Sequence, residues 1–202
     1  MERVMPEGTV APYLGSLEIY RRWMRLRLEG LDDNGAWGRI ISAMPRGERR
    51  RALARTMVAG ANGQGPLTLS VPVQGGGSTL KRGYPGEWRL SMHGRWQAVH
   101  LGALAAAWSA TPFYPHVMPL IRDVLDATHE GMPFGEMTAT LHRVVAGVLD
   151  VESLLPEIRS LTGTRADLIR RLSDEKMSGF HTDFTILDVI FKKGPEGIFL
   201  LL

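Results

Sequence analysis

His93-Gly94-Arg95-Trp96 sets an imidazole and a guanidinium on either side of a glycine, where a strand pattern hands over to a helical one. Free amides at a helix start, joined by positive side chains, stabilise an anion. An imidazole at that place can also move a proton near neutral pH. His93 is therefore the first catalytic candidate, with Arg95 and Trp96 as substrate contacts. A purely structural helix entry explains the same residues equally well. His100 follows on the apolar stripe of the helix, so a buried histidine with a hydrogen-bond partner is the leading reading there, and catalysis the second.

A second anion-binding candidate is Gly75-Gly76-Gly77-Ser78-Thr79, which follows a strand and precedes Lys81 and Arg82. Amides in such a loop point at a phosphate without side-chain obstruction, and the two cations add long-range attraction. No Gly-Lys-Ser/Thr follows to open a helix, so this is not a Walker loop. The competing explanation is a flexible hairpin connection. If the loop and the His93 turn stand side by side, they form a positively polarised notch.

Other chemistry finds little support. His93 and His100 on one helix would lie about 10 Å apart along the axis, too far to share an ion, and no His-Glu-x-x-His occurs. No metal site is expected, and His142, on a mostly apolar helix, reads as structural. The absence of cysteine excludes disulfides, thiolate metal sites and a cysteine nucleophile. There is no Gly-x-Ser-x-Gly elbow, and Asp183 and Asp188 read as caps and surface groups around a short helix.

These residues sit in a chain of 202 amino acids with 44% hydrophobic and 22% charged residues, near globular averages. One domain over residues 1–202 is expected. The start, MERVMPEGTV, has no signal-peptide pattern, and no apolar run approaches the ~18 residues of a membrane span, so a cytoplasmic protein is expected. The net charge is only +3, yet arginines crowd the first third: Arg21, Arg22, Arg25, Arg27, Arg39, Arg46, Arg49, Arg50, Arg51 and Arg55. Such asymmetry invites an anionic partner or marks a solvated basic face. Nucleic acid is the natural rival partner, through Arg21-Arg22 and Arg49-Arg50-Arg51, but no zinc-finger, cold-shock or RRM-like run appears.

Strand signals fall in the first ninety residues and helix signals in the rest. Trp23 to Glu29 alternates apolar and charged residues, as does Leu67 to Gln74, where Pro72 marks an edge or bulge. Weaker strands are expected at Thr9–Leu14, Arg55–Ala59 and Trp88–Met92. Turn signals at Asp33-Asn34-Gly35 and Pro45-Arg46-Gly47 break up residues 31–50. Helices are predicted over 95–109, 115–129 and 134–148, with a fourth from a capping box at Thr164-Arg165-Ala166-Asp167 to near Ser173. The tail carries a short helix around Ile186–Ile190 and a turn at Gly194-Pro195. The expected fold is α+β: an N-terminal mixed or antiparallel sheet region packed against four to five C-terminal helices.

Five pieces of this sequence, taken in order, resemble the WbqC-like family. They are Ala11-Pro12-Tyr13-Leu14-Gly15 running to Tyr20, and Leu26-Arg27-Leu28-Glu29; then Asn62-Gly63 with Val71-Pro72-Val73; then His93-Gly94-x-Trp96 with His100 and Thr111-Pro112-Phe113-Tyr114; and last Asp183 to Phe191 with Gly194-Pro195-Glu196. The chain departs from the family pattern where Leu53-Ala54-Arg55 keeps one arginine of an Arg-Asn-Arg triplet, where Met92 replaces an aspartate, where Gln97 replaces an arginine, and at Lys192-Lys193. The resemblance implies a role in bacterial surface-polysaccharide synthesis of the O-antigen type, with glycine or another acyl group transferred to a nucleotide-linked or lipid-linked amino sugar. It implies a base, His93 or His100, and a diphosphate site drawn from Lys81, Arg82 and Arg95, with Arg55, Trp96 and Tyr114 lining the pocket. Cofactor and oligomeric state are left open by it. A non-catalytic binding or scaffold protein of the same fold is the alternative, and a basic nucleic-acid-associated protein the third.

Overall fold

The computed structural model describes residues 10–59, 65–75, 84–161, 167 and 184–202. Ser16 opens α1 (Leu17–Leu28) by accepting from the Ile19 amide at 3.3 Å. Leu17, Tyr20, Met24 and Arg27 recur at helical spacing on its buried side. The strand expected from Trp23 to Glu29 is thus a helix. Its alternation was produced by Arg27, a charged residue that faces inward. The Asp33-Asn34-Gly35 turn signal is a helix start: Asp32 Oδ1 accepts from the Gly35 amide at 2.7 Å and opens α2 (Asp33–Ala43). Trp23 and Trp37 stack across these helices with centroids 5.8 Å apart.

A short α3 (Arg49–Leu53) leads into β1 (Arg55–Val58), which pairs antiparallel with β2 (Leu67–Ser70), Arg55 opposite Ser70. The ladder ends before Pro72, which cannot donate to it, and Val73 bridges instead to Leu90. Between Trp88 and Met92 only the isolated bridges at Arg89 and Leu90 form, not a strand. Residues 10–14 are likewise no strand. They make a turn with Leu14 at φ +43°, pinned by Tyr13 N donating to Leu53 O at 2.7 Å.

Next comes α4 (Trp96–Trp108), then a tight turn, then α5 (Tyr114–Asp126) packed beside it. Two further helices follow, α6 (Phe134–Val148) and α7 (Val151–Ser160), the second absent from the sequence expectations. The helix expected from residue 164 lies outside the described residues apart from Asp167, which is helical. In the tail, α8 (Leu187–Lys193) runs into a 3-10 turn, Gly194–Leu200. The fold is α+β and mostly helical, with eight α-helices and one two-stranded antiparallel sheet among the described residues. None of the described helices is long and apolar enough to cross a membrane.

The two ends of the described chain meet in the core. Thr185 N donates to Met57 O at 3.1 Å, Ile186 N to Gly15 O at 2.8 Å and Leu17 N to Phe184 O at 2.8 Å. The Leu14 carbonyl accepts from both the Thr56 and Thr185 hydroxyls, at 2.6 and 2.7 Å. Contiguous buried side chains run from Val10 through all eight α-helices to Leu201.

Candidate functional site

The entry to α4 is built from unusual backbone. A 3-10 turn spans His93–Arg95; Gly94 has φ +82° and Arg95, a non-glycine, φ +50°. Two successive left-handed residues swing the chain into the helix and leave the Arg95 side chain exposed, while Trp96 turns into the core. Trp96 Nε1 donates to Ser91 O at 3.0 Å, and its ring packs edge-on against Tyr13 and His100. His93 is exposed, its amide 3.4 Å from Ser91 Oγ.

The chain just past β2 runs beside the residues that lead to this helix entry, with Gln74 N donating to Arg89 O at 2.8 Å and Ser91 N to Pro72 O at 3.0 Å. Gly76 to Thr79 of the glycine loop lie outside the described residues. Between them reaches Glu130, from the loop after α5. Its carboxylate accepts from the Met92 amide at 2.6 Å and from Gln74 Nε2 at 2.7 Å. The Met92 amide first, then Gln74, holds the Glu130 carboxyl below its usual range. An anion expected from outside is, at this amide, supplied by the protein itself. Lys81 and Arg82, with residues 76–83, lie outside the described residues.

From the Arg95 turn a groove of about 640 Å³ runs between α4 and α5. Ala98, Gly102 and Ala105 recur along one side of α4 and keep its floor shallow, Arg95 and Gln97 stand at one end, and Arg122 and Asp126 project from the last turns of α5. Gln97 Nε2 donates to Thr128 Oγ1 at 3.1 Å, and Thr128 donates onward to Leu125 O at 2.6 Å, which ties the first turn of α4 to the end of α5. Among the described residues neither Arg95 nor Arg122 has a hydrogen-bond or salt-bridge partner for its guanidinium. Two unpaired cations in a groove of this size form a receptive place for a phosphate-bearing ligand, since small-molecule sites run from roughly 300 to 1,000 Å³.

The opposite side of α4 is occupied by the core. His100 is 3% exposed, and its Nδ1 accepts from the Tyr13 hydroxyl at 2.7 Å. Burial pulls the imidazole down to about 4 against a smaller upward pull from a hydrogen bond to the Ser70 backbone. Burial also pushes the Tyr13 phenol up. Arg55, paired with Ser70 in the sheet, has its Nε enclosed without an acceptor. His100 and Arg55 therefore share Ser70 as a neighbour. Tyr114 opens α5 at the far end from Arg122 and packs on Phe191, centroids 5.7 Å apart. Of the described residues expected at the site, Arg95 alone lines the groove; His93 precedes it on the same turn, whereas Trp96, His100, Arg55 and Tyr114 do not line it.

Sequence reasoning missed Arg122, Asp126 and Glu130. The first two were within reach, because i, i+4 polar residues bordering the Val117–Ile121–Leu125 stripe flank the neighbouring helix. Glu130 sits in a loop with no pattern to mark it. A second polar chain, partly buried and also unforeseen, links four helices. Tyr20 Oη lies 3.3 Å from His142 Nδ1, His142 Nε2 lies 3.5 Å from Asp33, and Arg27 meets Asp33 at 3.5 Å and also pairs with Glu152. Burial pushes the Asp33 carboxyl up, but the His142 hydrogen bond and the charges of His142 and Arg27 together hold it below its usual value. His142, 2% exposed, is thus a structural histidine.

A model of the WbqC-like protein family matches residues 48–175, from α3 through both strands, the His93 turn, the groove and α7. No curated protein and no solved structure matches the chain. The matched span is more than half of the sequence and contains every residue of the groove, so the chain belongs to the WbqC-like protein family.

Proposed function

We propose that this protein works in bacterial surface-polysaccharide synthesis and binds a diphosphate-linked sugar in the α4–α5 groove, with acyl or glycine transfer to an amino sugar as its reaction. The observation that carries the reading is a pair of guanidiniums, Arg95 and Arg122, that have no partner among the described residues and line a groove of about 640 Å³. Guanidinium forks match phosphate oxygens in a two-pronged geometry. Family membership supports a polysaccharide-related role. Met92 and Gln97, two positions where the chain departs from the family pattern, line the groove and would set which sugar it accepts. His93, exposed beside Arg95, is the group to take the proton from an attacking amine. Lys81 and Arg82 remain proposed diphosphate contacts. The reading treats residues 1–202 as one domain, in keeping with the core that runs from Val10 to Leu201.

A specific observation favours the second reading, a binding protein without catalysis. His100, the other candidate base, is enclosed between Tyr13 and the Ser70 backbone and has its basicity depressed by burial. Thermal unfolding with UDP-, GDP- and dTDP-linked sugars tests the proposal. One of them should stabilise the protein by about 2.7 kcal/mol at 100 times its dissociation constant, and Arg122→Ala should weaken that ligand at least tenfold. If no nucleotide sugar shifts the transition and DNA binds in a salt-dependent way, the nucleic-acid reading replaces this one.

A further inference from the structure

Arg49, the first residue of α3, is 6% exposed. Its guanidinium lies over the Tyr84 ring, 5.1 Å from the centroid. It has no hydrogen bond or salt bridge to any described residue, and its Nε is enclosed without an acceptor. Glu48, its neighbour in sequence, is exposed and forms no salt bridge with it. The contrast with Arg27 is informative, because Arg27 is also 6% exposed yet meets Asp33, Glu152 and the Leu31 carbonyl. A guanidinium has five donors and stays charged at every physiological pH. Burying one without an anion is costly, and an apolar side chain of the same volume would be neutral or better. The Tyr84 face satisfies the flat side of the cation only. The in-plane edge, the part that grips two oxygens at once, is claimed by no described residue.

Arg55, at the start of β1, repeats the pattern with its own enclosed and unaccepted Nε. We propose that Arg49, stacked on Tyr84, anchors an oxyanion site separate from the α4–α5 groove, which takes the phosphate or carboxylate group of a small ligand. The site explains why a cation is kept where a methionine would pack. It places a second anionic group of a substrate, or a second substrate, at the sheet side of the molecule, near the Arg55 end of β1.

The test is thermal unfolding of the full chain in inorganic phosphate, acetate and chloride at matched ionic strength. The wild type should show a saturable rise in Tm with phosphate or acetate above that in chloride. Phosphate acting more strongly identifies a phosphoryl ligand, and acetate acting more strongly a carboxylate. Arg49→Met should abolish the rise while leaving the Tm in chloride unchanged or higher. Arg49→Lys, which keeps the charge and loses the fork, should weaken the response at least tenfold. The Arg95→Ala/Arg122→Ala double variant should keep it, which separates this site from the groove. A wild type with no ion-specific rise, or an Arg49→Met protein that responds like the wild type, overturns the proposal. Should Arg49→Met fail to fold, a full wild-type response in Arg49→Lys overturns it instead.

Discussion

Arg95 combines a left-handed backbone with a side chain that lines the groove. A left-handed non-glycine residue costs about 1–2 kcal/mol, a strain that glycine escapes at some entropic expense. Arg95→Gly should therefore leave the fold as stable as before or up to about 1 kcal/mol more so, while it weakens binding of a phosphorylated ligand. Urea unfolding and a ligand titration on the same variant check both halves; a large loss of stability would mean that the side chain holds the turn. His100 makes the opposite kind of prediction. Its folded value is about 4 against 6.5 for the free group, so the unfolded chain takes up the proton first as the pH falls. Stability from this residue is complete above about pH 6.5 and is lost towards pH 4, by about 3 kcal/mol in all. In His100→Gln the unfolding free energy should fall less over that interval, as measured by denaturation at a series of pH values. At this scale the helical period of the sequence already points His100 into the core, where it lies. Arg95 and Trp96 both read as substrate contacts, and only the path of the backbone sends the first to the groove and the second to the core.

The helical hairpin of α4 and α5 is closed at its far end by the C-terminal turn. Gly194 has φ +54°, and a Cβ there would stand 2.4 Å from the Phe113 ring. Phe113 N in turn donates to Phe191 O at 3.1 Å, which fixes the turn between the two helices. Gly194→Ala adds overpacking, roughly 1–3 kcal/mol, to left-handed strain, roughly 1–2 kcal/mol. A loss of about 3 kcal/mol is expected in chemical denaturation, and an unchanged midpoint would show that the ring can move aside. The helices of this hairpin were legible because their buried residues repeat at a single period without interruption. The first helix was not, because Arg27 occupies a core position, where Asp33 and Glu152 neutralise it from other elements. No local pattern can announce a partner more than a hundred residues away.

Over the whole molecule, N-terminal tyrosines meet histidines from distant helices, Tyr13 with His100 and Tyr20 with His142. Each pair is a long-range polar tie inside an apolar core, where a group left without its partner costs about 1–3 kcal/mol. Tyr13→Phe should fall in that range by urea unfolding, and a neutral result would mean that water replaces the hydroxyl. The double acceptance at the Leu14 carbonyl extends the same design to the far end of the chain, since one of its two donors is Thr185. During synthesis on the ribosome, this joint cannot close until the residues around Thr185 have left the exit tunnel. Until then the nascent N-terminal helices have nothing to dock against at Leu14 and Gly15, and late release there is a window in which a chaperone would find exposed Leu17, Ile19 and Trp23.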